Sequence, residues 1–339
     1  MTNDEGPRTK DQGLGGCGKS MRIVITGSQG QLGVELCRQF GAEGSAGQIQ
    51  AGSENASESG SVTSEPGRVA SEPGRVAPVV GLDLPDFDLT DRDCVLTTLV
   101  RLRPEVVINT AAFTQVDKAE QDPALCRRVN VDGVKHLVDA CRELDSTLVQ
   151  ISTDYVFGRD ASRTAPYRET DEPGPLGVYG QTKLDAERLV AHWPKHFIVR
   201  TCGLYGRLGP RSAGNFVATM LRLGAAGRSL RVVYDQHCTP SYVPHVARAI
   251  RFLAGTTEYG AYHVVNTGAT TWYEFAREVF RQAGLDVPIE PITTGEYGAL
   301  APRPAYSVLD AGKYHSLDGC PAMASWQDAL TEYLNLPPA

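Results

Sequence analysis

The sequence has no apolar run that approaches the length of a membrane span. Its first residues also lack the charged-then-apolar order of a secretory signal peptide. We therefore expect a cytoplasmic protein that does not use a membrane.

Cysteine motifs are missing as well. No C-x-x-C pair and no metal-finger spacing occurs, which argues against a redox motif or a zinc module. We expect reduced structural thiols at the eight scattered cysteines, which are Cys17, Cys37, Cys94, Cys126, Cys141, Cys202, Cys238 and Cys320.

An excess of positive charge is also absent. The formal net charge of -7 gives no reason to expect nucleic acid as a partner, although local arginines could still hold a phosphorylated small substrate. With 339 residues and 41% hydrophobic content, the chain suits one large α/β unit with a smaller lobe.

Two glycine-rich motifs stand side by side near the N-terminus. Gly13, Gly18, Lys19 and Ser20 fit a P-loop, but a P-loop needs a strand before its glycines, and residues 1–12 are polar. We interpret this match as accidental and residues 1–20 as a disordered tail.

The second motif, "GSQGQLG" at 27–33, has the context that a dinucleotide site needs. An apolar strand, Met21–Thr26, precedes it, and a helical segment, Gln31–Phe40, follows. Gly27 would allow the tight turn, Gly30 would let the backbone approach a pyrophosphate, and Gly33 would let helix and strand pack closely. The G-x-x-G-x-x-G spacing is a variant, so a turn without nucleotide stays open.

Residues 41–77 are rich in Gly, Ser, Glu and Ala and end in a tandem "SEPGRVA" repeat. Pro66-Gly67 and Pro73-Gly74 exclude a helix there, so we interpret the segment as a disordered insertion, tolerated in a surface loop or binding a partner. Gly27 and Asp83 are 56 positions apart, and 37 of these belong to the insertion, so 19 remain. Asp83 therefore stands where a ribose ligand is expected, unless it only opens the turn before Pro85.

Strands and helices then alternate, which predicts a doubly wound parallel Rossmann sheet with a smaller C-terminal α/β substrate lobe. We predict a nucleotide-binding domain over 21–200, a mainly substrate-binding lobe over 201–339, and a return of 262–267 to the main sheet. The predicted elements are strand Val79–Leu82, helix Arg92–Leu102, strand Glu105–Asn109, helix Pro123–Leu144 and strand Thr147–Ile151.

Ligands of such sheets bind at the carboxyl ends of the strands, which places 109–120 and 152–158 at the site. Tyr179 and Lys183 are four residues apart, so a helix would present them on one face. Reduction of a ketone needs a proton on oxygen, which a phenol can supply if a neighbouring ammonium lowers its pKa from about 10. The hydroxyl of Thr153 could hold the substrate oxygen.

Together these residues resemble the extended short-chain dehydrogenase/reductase family, and within it the reductases of thymidine-diphosphate 4-keto sugars. The similarity covers nearly everything from Met21 onward. It is carried by "GSQGQLG", "NTAAFTQVDKAE", "STDYVFG", "YRETDEPGPLGVYGQTKLDAE", "RTCGLYG", "NFVATML", "DQHCTP", "GAYHVVNTGATTWYEFA" and "RPAYSVLD".

The resemblance implies reduction of dTDP-4-dehydro-L-rhamnose at C4 by NADPH or NADH, giving dTDP-L-rhamnose for cell-surface polysaccharide. It implies Thr153, Tyr179 and Lys183 as catalytic residues, and Val116, Thr153 and Asp154 as residues that meet the sugar. With the glycine turn and Asp83, the implied cofactor residues are Gly27, Gly30, Gln31, Leu32, Gly33, Asp83, Asp88, Leu89, Ala111, Ala112, Phe113, Tyr179 and Lys183.

The chain departs from its relatives at several positions. Tyr155 replaces the Glu base of the nucleotide-sugar dehydratases, which favours reduction over dehydration, while an epimerase is excluded less firmly. Gly203 and Gly177 replace a Trp and an Asn of many relatives. Glu35 matches one glutamate of the family's Mg²⁺ site at the dimer contact, but 241–244 offer no partner, so we expect no metal.

Two alternatives therefore remain beside the reductase. One is another nucleotide-sugar reductase or epimerase, and the other is a noncatalytic cofactor-binding regulatory subunit. The resemblance to this family suggests a homodimer as the assembly.

Overall fold

The computed structural model describes residues 21–41 and 79–337. The predicted tail 1–20, with its P-loop-like match, and the predicted insertion beyond Gly41 lie outside the described residues. Gly41 itself was assigned to the insertion but is the last residue of the first helix. Within the described residues, no helix has the length and apolar content needed to cross a membrane.

The described chain forms short strands and helices in alternation. The strands are β1 (Ile23–Thr26), β2 (Val79–Leu82), β3 (Val106–Asn109), β4 (Thr147–Thr153), β5 (His196–Thr201), β6 (Leu204–Tyr205), β7 (Leu230–Val233), β8 (His237–Cys238), β9 (Ser241–Tyr242), β10 (Gly260–His263), β11 (Thr270–Thr271) and β12 (Ile289–Ile292). The helices are α1 (Gln31–Gly41), α2 (Arg92–Leu102), α3 (Val116–Gln121), α4 (Pro123–Arg127), α5 (Gly133–Leu144), α6 (Val178–Ala191), α7 (Phe216–Ala225), α8 (Val243–Ala254), α9 (Trp272–Ala283), α10 (Thr294–Tyr297), α11 (Gly312–His315) and α12 (Trp326–Leu334).

Six of these strands form the central sheet, in the spatial order β2-β1-β3-β4-β5-β10, and every neighbouring pair is parallel. The chain runs outward from β1 to β2 and then returns to β3 on the other side of β1. This reversal makes the gap between β1 and β3 the topological switch point, where α/β sheets bind their ligands. The predicted doubly wound α/β fold is confirmed.

The two faces of the sheet are covered by different helices because successive strand residues point to opposite sides. Ile25 packs in the cluster that contains Leu36 of α1 and Ile250 of α8. Its neighbour Val24 packs in the cluster that contains Leu137 of α5. Three buried residues of α1 recur every four positions, as predicted, and they are Leu32, Leu36 and Phe40.

Several boundaries differ from the prediction. The predicted helix 123–144 is interrupted by a π-helical turn at Arg128–Asp132, which separates α4 from α5. β4 continues two residues further than predicted, because Ser152 and Thr153 still pair with β5. This extension carries Thr153 to the carboxyl edge of the sheet.

The remaining strands form two-stranded pairs beside a third core, which contains Phe275, Phe280, Trp326 and Leu330. The edge strand β10 pairs with β5 and ends at His263. The division of the chain into two lobes at residue 200 stays a prediction.

Candidate active site

A cleft of about 590 Å³ lies at the carboxyl ends of the strands, across the switch point between β1 and β3. All of the predicted cofactor and catalytic residues line this cleft. Thr153 and Asp154 line it too, whereas Val116, the third predicted sugar residue, does not. Val116 is half-buried at the first residue of α3.

The glycine turn between β1 and α1 has no room for a side chain at Gly27 or at Gly33. Gly27 has a φ of +71°, and a Cβ there would lie 2.5 Å from the amide nitrogen of Ala111. A Cβ on Gly33 would lie 2.2 Å from the carbonyl oxygen of Gly27, so helix and turn touch through backbone atoms. The turn therefore leaves an open cradle at Gly30, beside the N-terminus of α1, which suits the negative charge of a pyrophosphate.

Asp83 follows β2 and reaches the same turn. Its Oδ2 accepts a hydrogen bond from the Gln29 amide at 2.9 Å, and its Oδ1 accepts one from the Leu84 amide at 2.9 Å. Arg211, which the sequence analysis missed, places its Nε 3.8 Å from Oδ1 of Asp83. The carboxylate thus lies at the predicted ribose end of the cleft and already holds the turn in place.

The loop after β3 is held by two buried amide side chains. Asn109 accepts a hydrogen bond from the Ala111 amide at 3.1 Å and donates to Gln150 at 2.8 Å. Asn130, in the π-helical turn, accepts from the Phe113 amide at 2.8 Å and donates to the Phe113 carbonyl at 3.1 Å. These contacts fix the backbone of 111–113 along the floor of the cleft.

Thr153, Tyr179 and Lys183 come together at the middle of the cleft. Thr153 ends β4, while Tyr179 and Lys183 lie one turn apart on α6. The Nζ of Lys183 is buried and donates to the Ile151 carbonyl at 2.6 Å. The Oγ1 of Thr153 accepts from the Tyr155 amide at 3.1 Å. One hydroxyl, one phenol and one ammonium thus face the same space.

Burial shifts the pKa values of Lys183 and Tyr179. It lowers the pKa of Lys183 to about 8, against the opposing charge of Glu187. It raises the pKa of Tyr179 above its ordinary value, and a hydrogen bond with Thr153 opposes that shift. The expected fall of the phenol pKa is therefore wrong for the described site, because desolvation of the phenolate, the largest cause, raises it.

Asp154, which was predicted to meet the sugar, is a buried carboxyl that lines the cleft. The Ser307 hydroxyl donates to its Oδ2 at 2.6 Å, and the Thr153 hydroxyl donates to its Oδ1 at 3.1 Å. Burial raises its pKa above the usual range. Asp154 therefore joins Thr153 to the distant segment that carries Ser307.

The three positions that were expected to differ from the related sequences, Gly203, Gly177 and Tyr155, each have close neighbours. At Gly203 φ is +51°, and a Cβ would meet the Trp272 indole at 3.0 Å, so Trp272 occupies the adjoining space. At Gly177 a Cβ would lie 2.5 Å from the Glu120 carboxylate, which accepts the Val178 amide at 2.7 Å and caps α6. The Tyr155 ring packs edge-on against Tyr179, with centroids 6.0 Å apart.

The glutamate predicted from the family's Mg²⁺ site is engaged elsewhere. Arg38 donates to Glu35 at 2.6 Å, and Gln39 donates to it at 2.7 Å. No cluster of three or more potential metal ligands occurs among residues 21–41 and 79–337. All seven cysteines within those ranges are free.

A charged network that the sequence analysis missed lies directly behind the cleft. Arg200 donates to both carboxylate oxygens of Glu187, at 2.7 and 3.0 Å, and Ser152 donates to the same carboxylate at 2.5 Å. The available signal was a charged residue on the buried face of α6 and another inside the buried strand β5. No short-range sequence pattern indicates that Glu187 and Arg200 form a pair, because they lie on different elements, α6 and β5.

The comparisons with known proteins identify the family. The family model described as the RmlD substrate binding domain matches residues 21–336. A dTDP-4-dehydrorhamnose reductase of Streptomyces griseus is 42% identical over 262 residues, which cover 75% of this chain and 84% of the relative.

Two further relatives bear on cofactor and substrate. The crystal structure of a dTDP-4-dehydrorhamnose reductase from Bacillus anthracis in complex with NADP matches with a TM-score of 0.78 and 34% identity, covering 93% of this chain and 99% of that one. A probable dTDP-4,6-dihydroxy-2-methyloxan-3-one 4-ketoreductase of Streptomyces antibioticus is 34% identical over 316 residues, covering 92% of this chain and 94% of the relative.

Proposed function

This chain belongs to the RmlD substrate binding domain family, and from that membership and its cleft we propose that it is a dTDP-4-dehydrorhamnose reductase. It reduces the C4 keto group of dTDP-4-dehydro-L-rhamnose with NADPH or NADH and yields dTDP-L-rhamnose. The observation that carries this proposal is the convergence of Thr153, Tyr179 and Lys183 on a cleft that begins at the glycine turn.

The described residues fit the cofactor. The glycine turn and the N-terminus of α1 would hold the pyrophosphate, Asp83 lies at the ribose end, and 111–113 form the floor. When bound, NAD(P)H supplies the hydride that the carbonyl carbon accepts. Everything else that the reduction needs is a proton and an oriented substrate, and both come from side chains.

Tyr179 is the proton donor in this proposal. Because burial raises its pKa, the phenol keeps its proton at neutral pH and can deliver it to the C4 oxygen as that oxygen gains charge. The buried Lys183 ammonium stabilises the resulting phenolate, and the Thr153 hydroxyl orients the substrate oxygen. One ketone, one NAD(P)H and one proton thereby give one alcohol and one NAD(P)⁺.

The same cleft argues against water elimination. A dehydratase needs a base at the position after Asp154, and Tyr155 has no carboxylate there. Its phenol is half-buried, and burial raises its pKa, so it does not become an anionic base at neutral pH. Simple reduction needs no such base.

A second substrate is favoured by one observation. The ketoreductase of S. antibioticus, whose name gives another dTDP-linked keto sugar as substrate, matches over 92% of this chain. A related dTDP-4-keto sugar is therefore the alternative substrate, and it shares the same mechanism. The regulatory-subunit alternative is not favoured, because the relatives compared are named as enzymes.

The test follows NAD(P)H oxidation with dTDP-4-dehydro-L-rhamnose and with related nucleotide keto sugars. Tyr179→Phe keeps the ring and its burial, so we expect turnover to fall roughly 10²–10⁴-fold while cofactor affinity is retained. Lys183→Ala is expected to weaken both. Wild-type protein that binds cofactor but oxidises none with any of these sugars would overturn the reductase proposal and support a regulatory role.

Two finer proposals accompany this function. We propose a cytoplasmic location, tested by fractionation of the native host, and a homodimer, tested by light scattering of the purified chain. A monomer at micromolar concentration would contradict the second.

A further inference from the structure

The ribose end of the cleft joins opposite charges from two distant parts of the chain. Asp83 follows β2, and Arg211 belongs to the loop 207–214 between β6 and α7. The Nε of Arg211 lies 3.8 Å from Oδ1 of Asp83, and its Nη1 donates to the Leu84 carbonyl at 2.8 Å. Both side chains line the cleft.

This loop is fastened to the glycine turn by backbone contacts. The Arg211 amide donates to the Gln29 carbonyl at 3.1 Å. A Cβ on Gly209 would lie 2.3 Å from the same carbonyl oxygen, so only glycine allows the loop to lie so close. Ser212 closes the loop by accepting the Gly209 amide at 2.9 Å. Arg211 is thus held beside the predicted cofactor site by its backbone, while its side chain stays 46% exposed.

The charges along the cleft give this arginine a specific consequence. The acidic residues that line it are Asp83, Asp88 and Asp154, and Lys183 lies at the catalytic centre. Among the lining residues, Arg211 is therefore the cation at the ribose end. An Asp that ends β2 binds the ribose hydroxyls of NADH and repels the 2′-phosphate of NADPH. A guanidinium beside that Asp reverses the repulsion and offers a planar pair of donors to the phosphate.

We propose that Arg211 is a specificity-determining residue that binds the 2′-phosphate of NADPH, so that the cleft accepts NADPH in spite of Asp83. When NADPH binds, the Arg211 guanidinium leaves Asp83 and contacts the 2′-phosphate. Asp83 then binds the ribose and still accepts the hydrogen bond from the Gln29 amide. The inference rests on the proposed use of NAD(P)H, but it concerns the choice between the two cofactors and not the reduction itself.

The competing interpretation is that Arg211 only fastens the loop. A partly exposed ion pair contributes little to stability, so its loss would change the fold little and would weaken both cofactors alike. The ratio of the two affinities separates the interpretations, because NADH lacks the phosphate.

The experiment titrates NADPH and NADH separately by fluorescence, without sugar, on wild type, Arg211→Ala, Arg211→Lys and Arg207→Ala. Arg207 is the matched control because it lies in the same loop, contacts the Pro337 carbonyl at 3.5 Å and does not line the cleft. Calorimetry with adenosine 2′,5′-bisphosphate and with 5′-AMP isolates the ribose end. Melting curves confirm that each variant is folded.

For Arg211→Ala we expect the NADPH dissociation constant to rise about 10- to 100-fold, the range that a charge-assisted contact provides, while that of NADH changes little. Arg211→Lys should keep part of the preference, and Arg207→Ala should match wild type. Equal weakening of both cofactors, or no change in either, would overturn the inference and leave the proposed function intact. A wild type that binds neither cofactor would overturn both.

Discussion

Glu187 and Arg200 form a buried ion pair one helical turn from the Lys183 ammonium, with 2.7 Å between Oε2 of Glu187 and Nη2 of Arg200. Each side chain is at most 6% exposed. The carboxylate raises the pKa of Lys183, which burial alone would lower further. The carboxylate of this pair therefore influences the protonation of Lys183, the lysine of the proposed catalytic group.

This relationship predicts the pH profile of the enzyme. Glu187→Gln removes a negative charge from beside Lys183, so the lysine should lose its proton at lower pH. The alkaline limb of kcat/KM for NADPH, which reports the free enzyme, should move to lower pH. Steady-state rates between pH 6 and 10 measure it.

The matched control is Asp185→Asn, on the same helix but in an exposed pair with Arg127. It should leave the limb in place. Glu187→Gln also leaves the buried Arg200 guanidinium without its carboxylate partner. The substitution should therefore lower the free energy of unfolding by about 3–5 kcal/mol, which denaturant titration measures independently. An unshifted limb in a folded Glu187→Gln enzyme would show that Glu187 serves only the fold.

A second prediction concerns stability against acid. His263 accepts from Arg200 through Nε2, at 3.3 Å, and its Nδ1 therefore donates to the Asp310 carbonyl, at 3.1 Å. This neutral ring is buried, and desolvation together with Arg200 lowers its pKa to about 3. Since the unfolded chain binds the proton near pH 6.5, this residue should make folding less favourable as the pH falls below that value.

The expected loss from this residue is about 2 kcal/mol between pH 7 and pH 5. Urea unfolding at both pH values measures it, with His263→Asn as the variant that cannot titrate and His192→Asn as the exposed control. The His263→Asn variant should lose less stability on acidification than wild type does. Equal losses in both proteins would mean that His263 is protonated in the folded state.

Much of the fold could be predicted because its signals are local. The β-branched runs, the helix periodicity and the glycine turn each lie within a dozen residues, and they recur in the structure. Asp83 could be predicted as the acidic residue of the cofactor site once residues 41–77 were subtracted from its distance to Gly27. The π-helical turn at Arg128–Asp132 has no such signal, because its composition also suits an α-helix.

The site could be predicted only in part. Residues at strand ends and on one face of α6 were found, since topology alone places them at the cleft. Arg211, which lines the cleft, and Ser307, which donates to Asp154, were not found, because both come from distant segments through tertiary contacts. The pKa of Tyr179 was expected to fall, and the error lay in weighing the nearby ammonium without the burial that only the packed structure reveals.

Cofactor choice can also be approached from the acidic partner of Arg211. Asp83→Ala removes the charge that opposes a 2′-phosphate, so affinity for NADH should fall relative to NADPH. Fluorescence titration of both cofactors measures the ratio, and Asp86→Ala on the exposed turn nearby is the control. If Asp83→Ala changed the affinities for NADH and NADPH by the same factor, Asp83 would not select between the cofactors and would serve only to accept the Gln29 amide.

The glycine turn offers a test that separates backbone packing from chemistry. Gly33→Ala places a Cβ where 2.2 Å separates it from the Gly27 carbonyl oxygen, so the turn or the start of α1 must move. Gly41→Ala, on the same helix, meets nothing within 4 Å.

We expect Gly33→Ala to weaken binding of NADPH and NADH alike and to lower the melting temperature, because the shift moves the whole pyrophosphate cradle. Gly41→Ala should keep wild-type affinity and melt at or slightly above the wild-type temperature, since alanine favours the helix. Fluorescence titration and thermal melts of the two variants measure both effects. Unchanged binding in Gly33→Ala would mean that the cofactor does not lie on this turn, and the cleft would then have to hold its ligand by the 111–113 floor alone.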